Sequence, residues 1–184
     1  MKTILSLAAL TVLVSAMAFA QGGQSSPTIA TFTVGTELAI SASEGEFLDL
    51  APGTTYTISA DGAMAPGDVG GEVEAVPILW ELEGQPGAAV VITFSLPSFF
   101  EGDGLGGGGV RIPYTVNTQS AGWSAEAFGL EEPYNPIDPR VPNTIFLIAG
   151  TAAVQLGGII SVPVGAPATD YEGQFVLTAA YAGL

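Results

Sequence analysis

The sequence contains no cysteine and no histidine, and its only lysine is Lys2. Without cysteine there is no disulfide, thiolate nucleophile or iron–sulfur ligand, so an exported chain would depend on core burial and strand pairing. Without histidine the commonest catalytic base and the commonest transition-metal ligand are both missing. A chain with no lysine after Lys2 is also unable to form lysine–asparagine crosslinks. Carboxylates, hydroxyls and tyrosines are the only groups left for catalysis.

Charged residues are scarce, at 11% of the chain, against roughly 25% in ordinary soluble domains. The formal net charge is −15. If Lys2 is lost with a leader, two arginines stand against eighteen acids, which gives −16. Such a surface repels phosphate backbones and anionic membranes. Nucleic-acid binding is therefore not expected, and cations or basic partners are electrostatically favoured.

Residues 1–20 have the features of a secretory signal peptide. Lys2 supplies the positive start, residues 4–18 are apolar or small, and Ala18-Phe19-Ala20 forms an A-x-A cleavage site. An apolar run of about fifteen residues is shorter than the roughly 20 needed to span a bilayer. We therefore expect secretion through the periplasm, cleavage, and no membrane insertion afterwards. The remaining 164 residues have the size of one domain.

Period-two alternation of apolar residues runs through most of the mature chain and predicts short strands. In the segment 78–95, two alternating runs flank a four-residue turn and predict a β-hairpin. Segments 46–50 and 54–59 predict two strands joined by a Pro-Gly turn. No segment after the signal shows a 3.6-residue period. Roughly nine to ten short strands predict an all-β antiparallel sandwich over residues 41–184.

Both ends of the mature chain carry alternating runs suited to assembly. The region 21–40 begins as a polar flexible arm and continues with the apolar side chains Ala30, Phe32, Val34, Leu38 and Ile40. The C-terminal strand presents Phe175, Leu177, Ala179 and Tyr181. A terminal strand adds to a sheet edge in its own domain or in another chain. We predict residues 30–40 as a donor strand, and the sequence leaves both pairings open.

Acidic and aromatic residues offer a few chemical alternatives. The pairs Glu81/Glu83 and Glu131/Glu132 have the residue type used in glycoside hydrolysis, but solvation of an apolar surface explains them more simply. We therefore predict no catalytic residue and no enzyme activity. The glycine-rich segment 101–109 lacks the Gly-Lys-Ser/Thr ending of a phosphate loop, so no cofactor is predicted. Weak calcium candidates are the carboxylates of Glu101, Asp103, Asp170 and Glu172.

The two tryptophans are the candidate platform for stacking a sugar. Trp80 shares a strand face with Ile78 and Leu82, so we predict that it packs in the core. Trp123 has no such neighbours in the pattern, and its role stays open between core packing and glycan contact.

Three segments together resemble a known family. Leu50-Ala-Pro-Gly53, with the following strand and Asp61-Gly62, resembles its first motif. The segment 82–94 resembles its central G-x-P-G hairpin, and 171–181 resembles its closing Y-x-G-x-F-x-x-T-x-x-Y segment. The chain is similar to secreted bacterial β-sandwich domains of unknown function that are related to spore coat protein U and, more remotely, to chaperone–usher pilins.

The resemblance implies an immunoglobulin-like sandwich that is exported to the periplasm or cell surface. In the pilin relatives a neighbour's strand completes each subunit, with a periplasmic chaperone and an outer-membrane usher as helpers. Tyr181 stands where those relatives carry a near-terminal tyrosine. We therefore expect a pilin-like or coat-like structural subunit that forms a homopolymer. The alternative is a monomeric secreted module that binds glycan or calcium through loops 101–109 and 131–142.

Overall fold

The computed structural model describes residues 37–47, 50–66, 75–102, 109–125 and 134–183. Within these ranges the chain forms β-strands and no helix, which confirms the predicted all-β class. The predicted signal peptide and the run 30–34 lie outside the described residues. The strands are β1 (Ala39–Ser43), β2 (Glu46–Phe47), β3 (Thr55–Ile58), β4 (Met64–Ala65), β5 (Ala75–Val76), β6 (Ile78–Glu83), β7 (Ala88–Ser95), β8 (Phe99–Gly102), β9 (Arg111–Thr115), β10 (Ala121–Ser124), β11 (Asn135–Ile137), β12 (Asn143–Leu147), β13 (Thr151–Leu156), β14 (Gly158–Ser161), β15 (Tyr171–Glu172) and β16 (Val176–Tyr181).

The strands pair antiparallel in several sheets. A five-stranded sheet has the order β1-β6-β13-β10-β11, and a three-stranded sheet has the order β12-β7-β16. A six-stranded sheet has the order β15-β8-β9-β14-β3-β4, and β2 pairs with β5 alone. The pairings within the first two sheets join neighbours that are distant in sequence, such as β6 with β13 and β7 with β16.

The first core cluster takes its side chains from both the five-stranded and the three-stranded sheet, which is consistent with a β-sandwich. Alternation explains how it forms, because every second residue of β6, β7, β12 and β13 points into it. Its buried members are Ile78, Trp80, Leu82, Val90, Ile92, Ala121, Ile137, Ile145, Leu147, Ala152, Val154, Leu156 and Leu177.

The second core cluster belongs to the six-stranded sheet and is richer in aromatic rings. Its buried members are Tyr56, Ile58, Phe100, Ile112, Tyr114, Ile160 and Val162. Phe175 packs against both clusters and lies edge-on to Tyr114, with ring centroids 5.1 Å apart. Phe175 therefore joins the two cores.

The described residues contain more and shorter strands than the nine to ten expected. The segment 154–164, which alternation predicts as one or two strands around Gly157-Gly158, contains the end of β13 and, after a bend, all of β14, and these two strands belong to different sheets. Gly157 makes this bend possible, because a Cβ there would overlap the backbone carbonyl of Ile58. Its own N–H donates to the carbonyl oxygen of Ser120 at 2.8 Å.

The predicted hairpin over 78–95 is wrong in its pairing. β6 pairs with β1 and β13, whereas β7 pairs with β12 and β16. The turn 84–87 carries the chain from one sheet to the other, with Gly87 at φ +76°. Both strands send their inward rows into the same cluster, so they face each other instead of lying side by side. Likewise β2 and β3, which flank the turn at Pro52-Gly53, pair with other strands.

Candidate functional site

The edges of the three larger sheets differ in how they are protected against pairing. β11 contains Pro136, β15 is two residues long and contains Glu172, and β4 is two residues long and precedes Pro66. Short length, charge and proline are the usual protections of an exposed edge. β1, β12 and β16 have no charged residue and no proline. Within the described ranges these three edges are therefore the ones open to a further strand.

β1 has an inward face that is not covered by the described part of the chain. Ile40 lies opposite Leu82 in the pairing with β6, and Ala42 lies opposite Trp80. Paired residues of an antiparallel sheet share a face, so Ile40 and Ala42 point to the core side. Ile40 is nevertheless 40% exposed, and all five residues of β1 are exposed. Among the described strands, the sandwich is therefore open at this side.

A corner at Gly84 brings the start of β1 and the end of β16 together. The backbone N–H of Gln85 donates to the Tyr181 hydroxyl at 2.8 Å. A Cβ on Gly84 would overlap that hydroxyl and would lie 3.2 Å from Cδ1 of Leu38. Gly84 N–H donates to the carbonyl oxygen of Gly150 at 2.8 Å. Leu38, just before β1, and Tyr181, at the end of β16, thus both lie against Gly84, and a side chain at Gly84 would displace them.

Part of the β16 backbone points away from β7, toward the side where β1 is exposed. The N–H of Ala182 donates to the carbonyl oxygen of Ala89 at 2.9 Å, so this residue faces β7. Backbone groups alternate in direction along a strand, so Leu177 and Ala179 turn their N–H and C=O away from β7. The open side thus has a hydrogen-bonding edge at β16 and an exposed apolar wall at β1. We call this region the open side throughout.

The sequence-predicted assembly residues have separate outcomes. Leu177 is buried in the first cluster, and Phe175, Ala179 and Tyr181 pack against it. Leu38 also packs against this cluster, and Ile40 pairs within its own domain through β1. Ala30, Phe32 and Val34 lie outside the described residues, and the part of the predicted donor that lacks a described partner strand ends at Leu38, before β1 begins.

Three of the four calcium candidates line one cavity of about 600 Å³, together with Gly102, Gly173 and Gln174. Glu172 stands opposite Glu101 in the pairing of β15 with β8, and Asp170 is close by in the chain. Glu101 accepts a hydrogen bond from Arg111 Nη2 at 3.1 Å. No group of three or more His, Cys, Asp or Glu in the described ranges is arranged to hold a metal ion. Asp103 lies outside those ranges, and the calcium site stays a prediction.

The aromatic candidates have clearer positions. Trp80 is 4% exposed and lies edge-on to Phe94 with ring centroids 5.8 Å apart, which confirms its predicted core role. Trp123 packs against the first cluster. The side chain that the sequence leaves open is therefore in contact with the core.

The paired acids are placed only in part. Glu81 and Glu83 lie on the opposite face of β6 from Trp80, as the alternation predicts. Glu131 and Glu132 lie outside the described residues.

Sequence reasoning misses two elements of the open side. The alternation pattern gives Ala42 no role, and it marks Gly84 only as a turn residue. The available signal for Gly84 is its position between two alternating runs, one on each side of a short loop. A short loop between two alternating runs is also what connects one sheet of a sandwich to the facing sheet.

Over the described ranges the fold and the open side define a class: an all-β chain with three uncharged edge strands and an apolar face on β1 that no described strand covers. No protein-family model matches the chain, and no curated protein matches it either. No helix among the described residues is long and apolar enough to cross a membrane.

Proposed function

We propose that this chain is an extracellular structural subunit, pilin-like or coat-like, that assembles non-covalently by β-strand donation. The observation that carries the proposal is the exposed inward face of Ile40 and Ala42 on β1. A strand added to β16 would extend the three-stranded sheet, lie opposite β1 and cover these side chains. Backbone hydrogen bonds would give affinity, and alternate side chains would give specificity.

The donor in this proposal is the run 30–34 of a neighbouring copy. Its apolar residues Ala30, Phe32 and Val34 alternate, so one face would point into the open side. A five-residue strand extends about 17 Å at about 3.3 Å per residue, which suits the six residues of β16. Leu38 and Ile40 stay with their own domain, and this shortens the donor predicted from the sequence.

The location and the helpers of assembly belong to the same proposal. The signal-peptide features of residues 1–20 support secretion through the periplasm to the cell surface. The resemblance to spore coat protein U and to pilins supports an immunoglobulin-like sandwich, a periplasmic chaperone and an outer-membrane usher. The absence of cysteine and of lysine after Lys2 means that subunits would be held by hydrogen bonds and apolar contacts alone.

The main test removes the donor and supplies it again. A chain without residues 21–36 keeps β1 intact and should form no filaments in electron micrographs. A labelled peptide of residues 27–36 should then bind to it, measured by fluorescence anisotropy, and should dissociate slowly. Filaments formed by the shortened chain would contradict this donor, and a peptide that does not bind would contradict the acceptor.

A matched pair of proline variants tests which edge accepts the peptide. Ala179 has its N–H directed away from β7, so Ala179→Pro removes a hydrogen-bond donor from the open side without breaking the existing ladder. Thr144 is the equivalent position on β12. Leu147 accepts a hydrogen bond from Gly87 at 2.6 Å, so the backbone of Leu147 faces β7. Because backbone direction alternates along a strand, the N–H of Thr144 points away from β7. Ala179→Pro should abolish peptide binding, and Thr144→Pro should preserve it.

The alternative function is a monomeric surface module that binds calcium or glycan. The carboxylates of Glu101, Asp170 and Glu172 line one cavity, and calcium, which takes oxygen ligands, would be the ligand of such a module. The check is the melting temperature of the monomer with and without calcium chloride. A calcium-dependent rise that is lost in Asp170→Asn, in a protein that never polymerises, would replace the first proposal with the second.

A further inference from the structure

The outer face of the three-stranded sheet has a composition unlike that of the other two large sheets. We define this face by the side chains of β7, β12 and β16 that point away from the first core. Their direction follows from the burial alternation and the register of the two pairings. They are Ala89, Val91, Thr93, Ser95, Thr144, Phe146, Val176, Thr178 and Ala180.

None of these side chains is charged, and several large apolar groups are exposed. Phe146 is 49% exposed, Val176 is 42% exposed, and Ile148, just beyond β12, is 64% exposed. The other large sheets differ. The five-stranded sheet carries Glu81 and Glu83 on β6, and the six-stranded sheet carries the Glu101–Arg111 ion pair.

We infer that this outer face binds a second copy of the same chain, face to face. Two copies that each carry many more acids than bases repel one another wherever carboxylates meet. Contact through an uncharged sheet face avoids that repulsion and buries apolar surface. A basic partner would find no carboxylate on this face, so charge complementarity favours self-association over a cationic ligand.

The size of the face sets the expected strength. Three strands at about 4.8 Å spacing and six residues at about 3.3 Å give a footprint of about 14 Å by 20 Å. Stable complexes bury about 800 Å² per partner, so an isolated pair should be weak and in rapid exchange. Contacts of this kind add up when many copies are held side by side. The inference uses a different surface from the open side and is independent of strand donation.

The test is sedimentation equilibrium of the secreted chain, on the fraction that elutes as a monomer in size exclusion. Reversible dimers should appear as the concentration rises and should increase with sodium chloride, because salt screens the like charges of the two copies. Polymers made by strand donation would exchange slowly and would remain outside this fraction. A chain that stays monomeric at every concentration and salt level would overturn the inference.

A matched pair of aspartate variants locates the contact. Thr93 is exposed at the centre of the outer face on β7, and Thr57 is exposed on β3 of the six-stranded sheet. Thr93→Asp places an unpaired charge in the contact and should raise the dissociation constant about tenfold or more, which corresponds to about 1.4 kcal/mol. Thr57→Asp adds the same charge on the six-stranded sheet and should change the dissociation constant far less. Equal effects would overturn the inference.

A neutral variant separates apolar contact from net charge. Phe146→Thr keeps β-propensity and adds no charge, so it should fold and should still weaken the dimer severalfold at high salt. A Phe146→Thr dimer as strong as the unmodified one would contradict a contact through this face.

Discussion

The two core clusters of this protein are built from different side chains, and the difference shows how each one is held. The first contains one aromatic residue, Trp80, among thirteen buried members and takes the rest from aliphatic alternation. The second contains three aromatic rings, on Tyr56, Phe100 and Tyr114, among seven buried members. An aliphatic core needs only that the strands present their inward rows, whereas an aromatic core also needs specific ring geometry.

The tyrosine hydroxyl groups of the second core also form hydrogen bonds with the backbone of loops. Tyr114 donates to the carbonyl oxygen of Gly157 at 2.5 Å, and the Tyr56 hydroxyl accepts from the N–H of Ala51 at 2.9 Å. Both partners lie in bends or turns instead of strands. The first core therefore joins sheets, while the second core also fixes the loops that redirect the chain.

Gly157 is the position where a single change should damage both cores most. It stands between β13 of the first core and β14 of the second, packed against the backbone of Ile58. Gly157→Ala would force a Cβ into backbone atoms that have no rotamer to relieve the contact, at a cost of about 3 kcal/mol or more. Urea unfolding measures the loss.

Gly165 supplies the control for this prediction. It has a positive φ of +86°, but no other atom lies within 4 Å of the position that a Cβ would take. Gly165→Ala therefore tests backbone strain without a packing clash. Gly157→Ala should be clearly the more destabilising of the two. If Gly157→Ala were the less destabilising of the two, the close approach of the Ile58 backbone would not be the reason for a glycine at this bend.

Leu82 tests the aliphatic core alone. It is 1% exposed and lies on β6 within the first cluster. Leu82→Ala should lower the free energy of unfolding by about 2–5 kcal/mol, through lost burial and the cavity left behind. Chemical denaturation gives the value, and the near-ultraviolet signal of the second core should be retained in the folded variant. A change in the ring NMR signals of Tyr56 and Tyr114 that leaves Trp80 unaffected would contradict the separation of the two clusters.

Local alternation predicts which side chains enter the first core, because period two alone decides the face of a strand. Ile78, Trp80 and Leu82 point inward as expected. The same pattern does not predict that β6 and β7 face each other, because partners are chosen by tertiary packing. Alternation alone leaves the segment 154–164 as one strand or two around Gly157-Gly158, since a glycine inside an alternating run does not reveal the backbone that approaches it.

The open side is predictable only in part, for a related reason. The C-terminal alternation groups Leu177 with Phe175, Ala179 and Tyr181 on one face, and the structure places that face against the first core. The exposure of Ile40 depends on the three-stranded sheet ending at β16 among the described strands, opposite a wider sheet. No local sequence signal reports where the facing sheet ends.

Tyr114→Phe tests the hydroxyl tether of the aromatic core. Losing the hydrogen bond to Gly157 should lower stability by about 1–2 kcal/mol at neutral pH. Burial raises the pKa of Tyr114 well above its ordinary value. Above about pH 10 the unfolded chain releases this proton and the folded chain retains it, so stability falls as pH rises. Denaturation at several alkaline pH values should show a shallower decline in the variant, and an unchanged slope would contradict burial of the hydroxyl. An unchanged stability at neutral pH would contradict the tether.

The surface pair Asp138–Arg140 should give the smallest effect, because it belongs to neither core. Arg140 donates to both carboxylate oxygens of Asp138 at 2.8 Å, and this hydrogen bonding lowers the pKa of Asp138 to about 2. A lowered pKa means that any stabilisation is present above the ordinary value of about 3.9 and is lost as pH falls toward 2.

Arg140→Ala should therefore raise the pKa of Asp138 toward its ordinary value, measured by carboxyl NMR titration, and should leave the urea midpoint at neutral pH unchanged. Exposed ion pairs contribute little, because water and salt screen them. A midpoint shift as large as that of Leu82→Ala would mean that the start of β12 depends on this pair. The stability of the first core would then depend on charge as well as on aliphatic burial. Aliphatic burial alone would no longer distinguish the first core from the aromatic one.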